Sequence, residues 1–184
     1  MAVGALISVA EYLNTSYRPD CDYVDGEVQE RNLGEFEHSS TQLVIGSWLM
    51  TRDDKLFRRV LTEQSVQVRS SRFRIPDVCV LADGAPQESI TRIPPRLCVE
   101  ILSKDDSMSE IMERVDDYFQ MGVPFCWVVD PAKRRAWIAT PGLFSQPADG
   151  ILRAGELAMP VSEVFKGLNE PGLRSPQNFS PPAE

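Results

Sequence analysis

Two short apolar runs near the middle of the chain are each interrupted by a single acid: Asp77 in Arg74-Ile-Pro-Asp-Val-Cys-Val-Leu81, and Glu100 in Leu97-Cys-Val-Glu-Ile-Leu102. Runs of branched apolar residues bounded by turn-formers predict buried strands. An ionised carboxylate there is costly unless a cation, a donor or a metal accompanies it. Around these runs the periodicity alternates between two and about 3.6. Ser8-Val-Ala-Glu11 has capping-box spacing and predicts a short helix carrying Tyr12 and Leu13. Cys21 to Val28 alternates about Asp25-Gly26, which predicts a hairpin. Between Ser39 and Met50 the residues Leu43, Val44, Trp48 and Leu49 predict a helix packed on one face.

Val60 to Val68 and Arg74 to Leu81 read as two strands of a hairpin broken at Ser70-Ser71, and 83–95, rich in Gly and Pro, reads as a loop. Ser107 and Glu110 form a second capping box. The helix it starts carries Met108, Ile111, Met112, Val115 and Phe119 on one face and ends at Gly122. Phe125 to Val129 and Arg135 to Ala139 are further strands, so strand, helix, strand recurs after Glu100, the order of a crossover unit in a mixed α/β sheet. Beyond Thr140 the pattern weakens to a short helix near 161–168. One domain over 1–169 and a loose tail over 170–184 are expected.

Charge changes this picture in one respect. The net charge of −8 excludes a basic coat. Yet Arg52, Lys55, Arg58, Arg59, Arg69, Arg72 and Arg74 crowd just ahead of Asp77, either as a local phosphate-binding groove or as an ordinary solvated stretch. Cys21, Cys79, Cys98 and Cys126 lack metal-ligand spacing, and Cys79, Cys98 and Cys126, inside apolar runs, read as reduced, buried thiols. No basic leader and no long apolar run stands at the N-terminus, so a cytoplasmic protein without a membrane partner is expected.

The paired acids fit a hard divalent ion held by oxygen ligands, Mg²⁺ or Mn²⁺, of the kind that acts on phosphates. Glu27 is a further candidate ligand or an exposed hairpin acid. The alternative for Asp77 is a local backbone cap, and for Glu100 a buried ion pair, with Arg114 as a partner. His38, near Glu35 and Glu37, reads as a helix-start or surface residue.

In order, Ile75-Pro-Asp-Val78, Val99-Glu-Ile-Leu-Ser103, Glu113-Arg-Val-Asp-Asp-Tyr118, Met121-Gly-Val-Pro124 and Trp127-Val-Val-Asp-Pro131 resemble the Uma-type restriction endonucleases of the PD-(D/E)XK nuclease superfamily. Tyr23-Val-Asp-Gly-Glu27 is similar to that family's early strand, and His38 stands where the family often has a histidine. The resemblance implies a restriction-endonuclease-like mixed β-sheet flanked by helices. It also implies an endonuclease that hydrolyses DNA, with Asp77 and Glu100 holding Mg²⁺ and a basic side chain stabilising charge.

The chain departs from the superfamily pattern at Leu102, where the motif's lysine would stand. The Uma-type relatives supply that lysine from the next helix, at the position filled here by Arg114, and Lys104 is the nearest true lysine. Arginine clamps phosphate but is too basic to accept a proton. A degenerate nuclease fold used for binding or assembly is therefore the alternative function, and hydrolysis of another phosphate ester is a third. Cleavage of both strands of DNA would call for a homodimer.

Overall fold

The computed structural model describes residues 6–31, 35–52 and 59–168, so the expected tail over 170–184 lies outside the described residues. In chain order the elements are α1 (Val9–Asn14), β1 (Cys21–Val24), β2 (Glu27–Glu30), α2 (Phe36–Arg52), β3 (Val60–Thr62), β4 (Ser65–Arg69), β5 (Arg72–Arg74), β6 (Val78–Val80) and β7 (Ile90–Thr91). They continue with β8 (Leu97–Ile101), α3 (Met108–Met121), β9 (Cys126–Asp130), β10 (Arg135–Thr140), β11 (Leu143–Ser145), β12 (Ile151–Ala154), β13 (Leu157–Pro160), α4 (Val161–Val164) and a 3₁₀ turn at Lys166–Leu168.

A five-stranded sheet runs β2-β1-β5-β4-β7 and a six-stranded sheet runs β11-β10-β9-β8-β6-β3, with β12 and β13 forming a separate hairpin. Every ladder in the larger sheet is antiparallel except β8 with β9, which α3 joins as the crossover that parallel neighbours require. Both faces of the larger sheet are covered. On one, Val78, Val99 and Val129 pack with Ile45 and Leu49 of α2 and with Leu152 and Met159 of the β12–β13 hairpin. On the other, Cys79, Cys98, Cys126 and Val128 pack with Ile111, Val115 and Tyr118 of α3. Double coverage explains the uninterrupted apolar runs, since a strand buried on two faces loses its alternation.

The local signals act where they stand. Ser8 accepts the Glu11 amide at the start of α1, and the Ser107–Glu110 box is closed in both directions. Gly122 ends α3 at φ 106°, and the β1–β2 turn uses Asp25 at φ 49° and Gly26 at φ 106°, left-handed conformations suited to these residues. In α2 the packing face is shifted from the expected one: Ile45 and Leu49 are interior, while Leu43 is 69% exposed.

The largest departure concerns the hairpin ahead of Glu100. Neither of its arms is one strand. The first breaks at Glu63, which takes φ 53°, and the second breaks at Ile75-Pro76-Asp77, where proline offers no N–H to a ladder. β4 and β5 therefore pair in the smaller sheet, whereas β3 and β6 pair in the larger. Both arms change sheets at the same level, marked by the Glu63 amide donating to the Asp77 carbonyl at 3.4 Å. That crossing point brings charged groups inside the fold.

Candidate active site

The ladder between β6 and β8 pairs Val78 with Val99 and Cys79 with Cys98, so one step further Asp77 stands across from Glu100. Both acids are buried. Asp77 lies just outside β6, at the sheet crossing, where its Oδ2 accepts the Ile101 amide at 2.6 Å and lies 3.4 Å from His38 Nε2. Its Oδ1 is paired with Arg31 Nη2, and Arg31 Nη1 is paired with Glu63. Gln42 of α2 donates both to Glu63 Oε1 at 2.7 Å and to the Asp77 carbonyl at 2.9 Å. Burial acts to raise the Asp77 carboxyl, but His38 and the Arg31 charge prevail and hold it below its ordinary 3.8. Burial acts to lower His38, and Asp77 prevails there too, raising the imidazole above its ordinary 6.5.

Glu100 occupies the α3 side of β8. Its Oε1 accepts the Tyr118 hydroxyl at 2.6 Å, and its Oε2 lies 3.3 Å from Arg114 Nη1. Burial pushes this carboxyl up to about 7, Asp77 adds to the rise, and Arg114 and Arg31 oppose it. Arg114 is also placed from behind, since its Nε is 3.6 Å from Asp22 Oδ2. Asp22, buried in β1, accepts Arg74 Nη1 at 3.0 Å and the Ile75 amide at 3.1 Å. One carboxylate thus ties Arg114 to the backbone that leads into Asp77.

The other sequence candidates are distributed differently. Lys104 is 73% exposed and its Nζ lies 3.9 Å from Glu35. It lines a cleft of about 290 Å³ with His38, Ser103, Asp106 and Lys133, open at the carboxyl ends of β8 and β9, where α/β sheets commonly receive ligands. Glu27 is exposed at the turn end of β2, whereas the opposite end of that strand leads to Arg31. The strand rise puts about 13 Å between positions 27 and 31, so the structure does not bring Glu27 to the acid pair. Leu102, at the position of the missing lysine, is packed in the core under α3.

Within the basic stretch Arg69 is exposed, but Arg59, Arg72 and Arg74 are engaged by acids and are not free to make a phosphate-binding surface. Arg74 is buried among Asp22, Asp117 and Glu113, Arg72 pairs with Asp25 and Asp117, and Arg59 pairs with Asp83. The side chains of Arg52, Lys55 and Arg58 lie outside the described residues.

Arg31, Glu63, Gln42, Asp22 and Tyr118 escaped the sequence reading. Only Tyr118 carried a usable signal, seven residues after Ile111 and three after Val115 on the buried face of α3.

The donor set suits a hard cation. The two acids stand across a ladder from one another, and the Arg31 guanidinium pairs with Asp77 while its charge also favours ionised Glu100, so the site already accommodates positive charge. Among the described residues no three His, Cys, Asp or Glu side chains are grouped to hold a metal, so the protein would furnish part of a coordination shell, as is usual for Mg²⁺ on phosphate substrates. Among the described residues no helix is long and apolar enough to cross a membrane.

No curated protein matches the chain. A crystal structure of a "putative nuclease belonging to DUF820" from Anabaena variabilis shares its fold, with a TM-score of 0.75 over 88% of this chain and 99% of that one at 21% identity. That neighbour agrees with a restriction-endonuclease-like mixed sheet flanked by helices. The family model of Uma2, described as "Putative restriction endonuclease", matches residues 9–168, and the chain belongs to that family.

Proposed function

We propose that the chain is a divalent-cation-dependent endonuclease that hydrolyses phosphodiester bonds of DNA, with Asp77 and Glu100 as the cation's protein ligands. The observation that carries this reading is the opposition of the two acids across the β6–β8 ladder, with Arg114 on the second of them. Mg²⁺ or Mn²⁺, when bound, supplies Lewis-acid polarisation of the scissile phosphate and acidifies an attacking water. The remaining work falls to the chain. Tyr118 fixes the Glu100 carboxylate, and Asp22 holds Arg114 beside it. Arg114 clamps a non-bridging phosphate oxygen and offsets its developing charge, without serving as a base. Lys104 and Lys133, on the rim of the neighbouring cleft, meet flanking phosphates. Cutting both strands uses two copies of the chain.

A second reading, a nuclease fold retained for binding or assembly, is favoured by one observation: each acid is already paired with an arginine. Single-turnover nicking of supercoiled plasmid with Mg²⁺ or Mn²⁺ separates the two. Wild type is expected to exceed Asp77→Ala, Arg114→Lys to retain or raise the rate, and Arg114→Ala to lower it. Wild type no faster than Asp77→Ala, with Arg114→Lys equally inert, gives the lead to the binding reading.

A further inference from the structure

The guanidinium of Arg31 belongs to neither of the roles just assigned. The residue directly follows β2, its side chain is only 12% exposed, and it runs inward to the sheet crossing. One terminal nitrogen is paired with Asp77 Oδ1 and the other with Glu63, while its charge also acts on Glu100 and Asp22. The second oxygen of Asp77 is committed to the Ile101 amide and His38. Oδ1 is thus the oxygen an incoming cation must take, and a guanidinium already sits on it.

We propose that Arg31 is the resident counter-ion of the acid site, an internal cation that a divalent ion must displace from Asp77 and that therefore sets the site's metal affinity. The inference rests on Asp77 being a cation ligand. Two cations held at one buried carboxylate oxygen repel each other, so occupancy by Arg31 and occupancy by the metal oppose each other. The apparent affinity is then the intrinsic affinity reduced to the fraction of molecules in which Asp77 Oδ1 is open.

Two features make the exchange feasible. The Arg31 Nε is buried without a hydrogen-bond partner, so the inward seat leaves one donor desolvated and unsatisfied. Glu63 holds the other end of the guanidinium in the inward seat but is 40% exposed, so this outer anchor is weakened by water and the Arg31 side chain can pivot away from Asp77 once it loosens. In the pivoted position its planar fork is free to receive a phosphate oxygen. A substrate phosphate thereby offers Arg31 a new partner as the metal takes the old one, and the two binding events assist each other.

Mn²⁺ titration of the metal-free full chain, followed by calorimetry and by thermal unfolding, tests this independently of cleavage. Arg31→Met is expected to melt lower than wild type in EDTA, to bind Mn²⁺ at least about tenfold tighter, and to gain more on Mn²⁺ addition. Arg31→Lys, which keeps charge but loses the fork, should fall between the two. Glu63→Gln, which loosens the outer anchor, should bind more tightly than wild type. These two variants decide the matter if Arg31→Met does not fold. Equal or weaker binding by the Arg31 variants, or weaker binding by Glu63→Gln, overturns the proposal while leaving the cation site intact. Absence of Mn²⁺ binding in wild type and all variants overturns the proposal together with the cation-ligand role of Asp77.

Discussion

Replacing Glu100 by glutamine makes the cost of burying that acid measurable. The folded protein holds the Glu100 proton up to about pH 7, whereas an unfolded chain releases it near the ordinary 4.5. Between these values the native state binds more protons than the unfolded state, so this group makes stability fall as pH rises through the window, with the full penalty present above about 7. The gap amounts to about 3 kcal/mol. Glutamine has the same shape, carries no charge, and can still accept from Arg114 while donating to the Tyr118 oxygen. It should match wild type near pH 4 and exceed it at pH 8 by about 3 kcal/mol, or about 6–12 °C in melting temperature for a chain of this size. Urea unfolding in EDTA from pH 4 to pH 8, read by tryptophan fluorescence, supplies the comparison. Asp77 titrates in the opposite sense, losing stability only as pH falls below its ordinary 3.8, so it leaves this window clear. A wild type–variant difference that stays flat across the range, or a glutamine variant weaker at pH 8, refutes the assignment of the burden to Glu100.

Three other outcomes follow from the packing. Arg74→Met strips the countercharge from buried Asp22 and Asp117 and should cost about 3–5 kcal/mol by denaturant titration. A loss below about 1 kcal/mol would mean that those acids find other partners. Gly122→Ala forces a side chain into φ 106° at the end of α3 and should cost about 1 kcal/mol, seen as a shift of urea midpoint without change of slope. The four cysteines are free and buried, and burial pushes the Cys79 thiol up to about 12, so thiol reagents should label the native protein slowly and the urea-unfolded chain at once.

How far the sequence could be read depended on whether the signal was local. The Ser8 cap, the Ser107 capping box, the Asp25-Gly26 turn and the Gly122 stop are chemistry within a few residues, and each acts where it was expected, although Ser8 makes only the first half of its expected box. The acids of Asp77 and Glu100 were visible because polarity inside an apolar run is itself anomalous. Burial of Tyr118 was hidden by attention to Phe119, one position round the helix. The division of the hairpin between two sheets was only half visible: Pro76 could announce one break, but a glutamate at left-handed φ announces nothing. β11, β12 and β13 were missed because Leu143–Ser145 is largely exposed and the β12–β13 hairpin alternates over only a few residues. Arg31 and Asp22 had no local mark at all. Their significance arises from partners 46 and 52 positions away in the chain, Asp77 and Arg74.

Long-range pairing also explains why the basic stretch before Asp77 misled. Five charged side chains, Arg72, Arg74, Asp22, Asp117 and Arg114, form a continuous chain of ion pairs that ends on Glu100. Arginine suits this use, because its planar fork can satisfy several acceptors from one buried position. Arg74 does so with Asp22, Asp117, Glu113 and Gln29. At Arg72 and Arg74 the run of like charge therefore carried structural information of another kind than expected: these cations are needed inside to hold acids in place. A lysine at position 114 would present one compact ammonium and could not span Asp22 and Glu100 with separate nitrogens, as Arg114 Nε and Nη1 do. Arg114, where the family resemblance implies a lysine, is thus anchored as only arginine could be, with Asp22 on one side and Glu100 on the other.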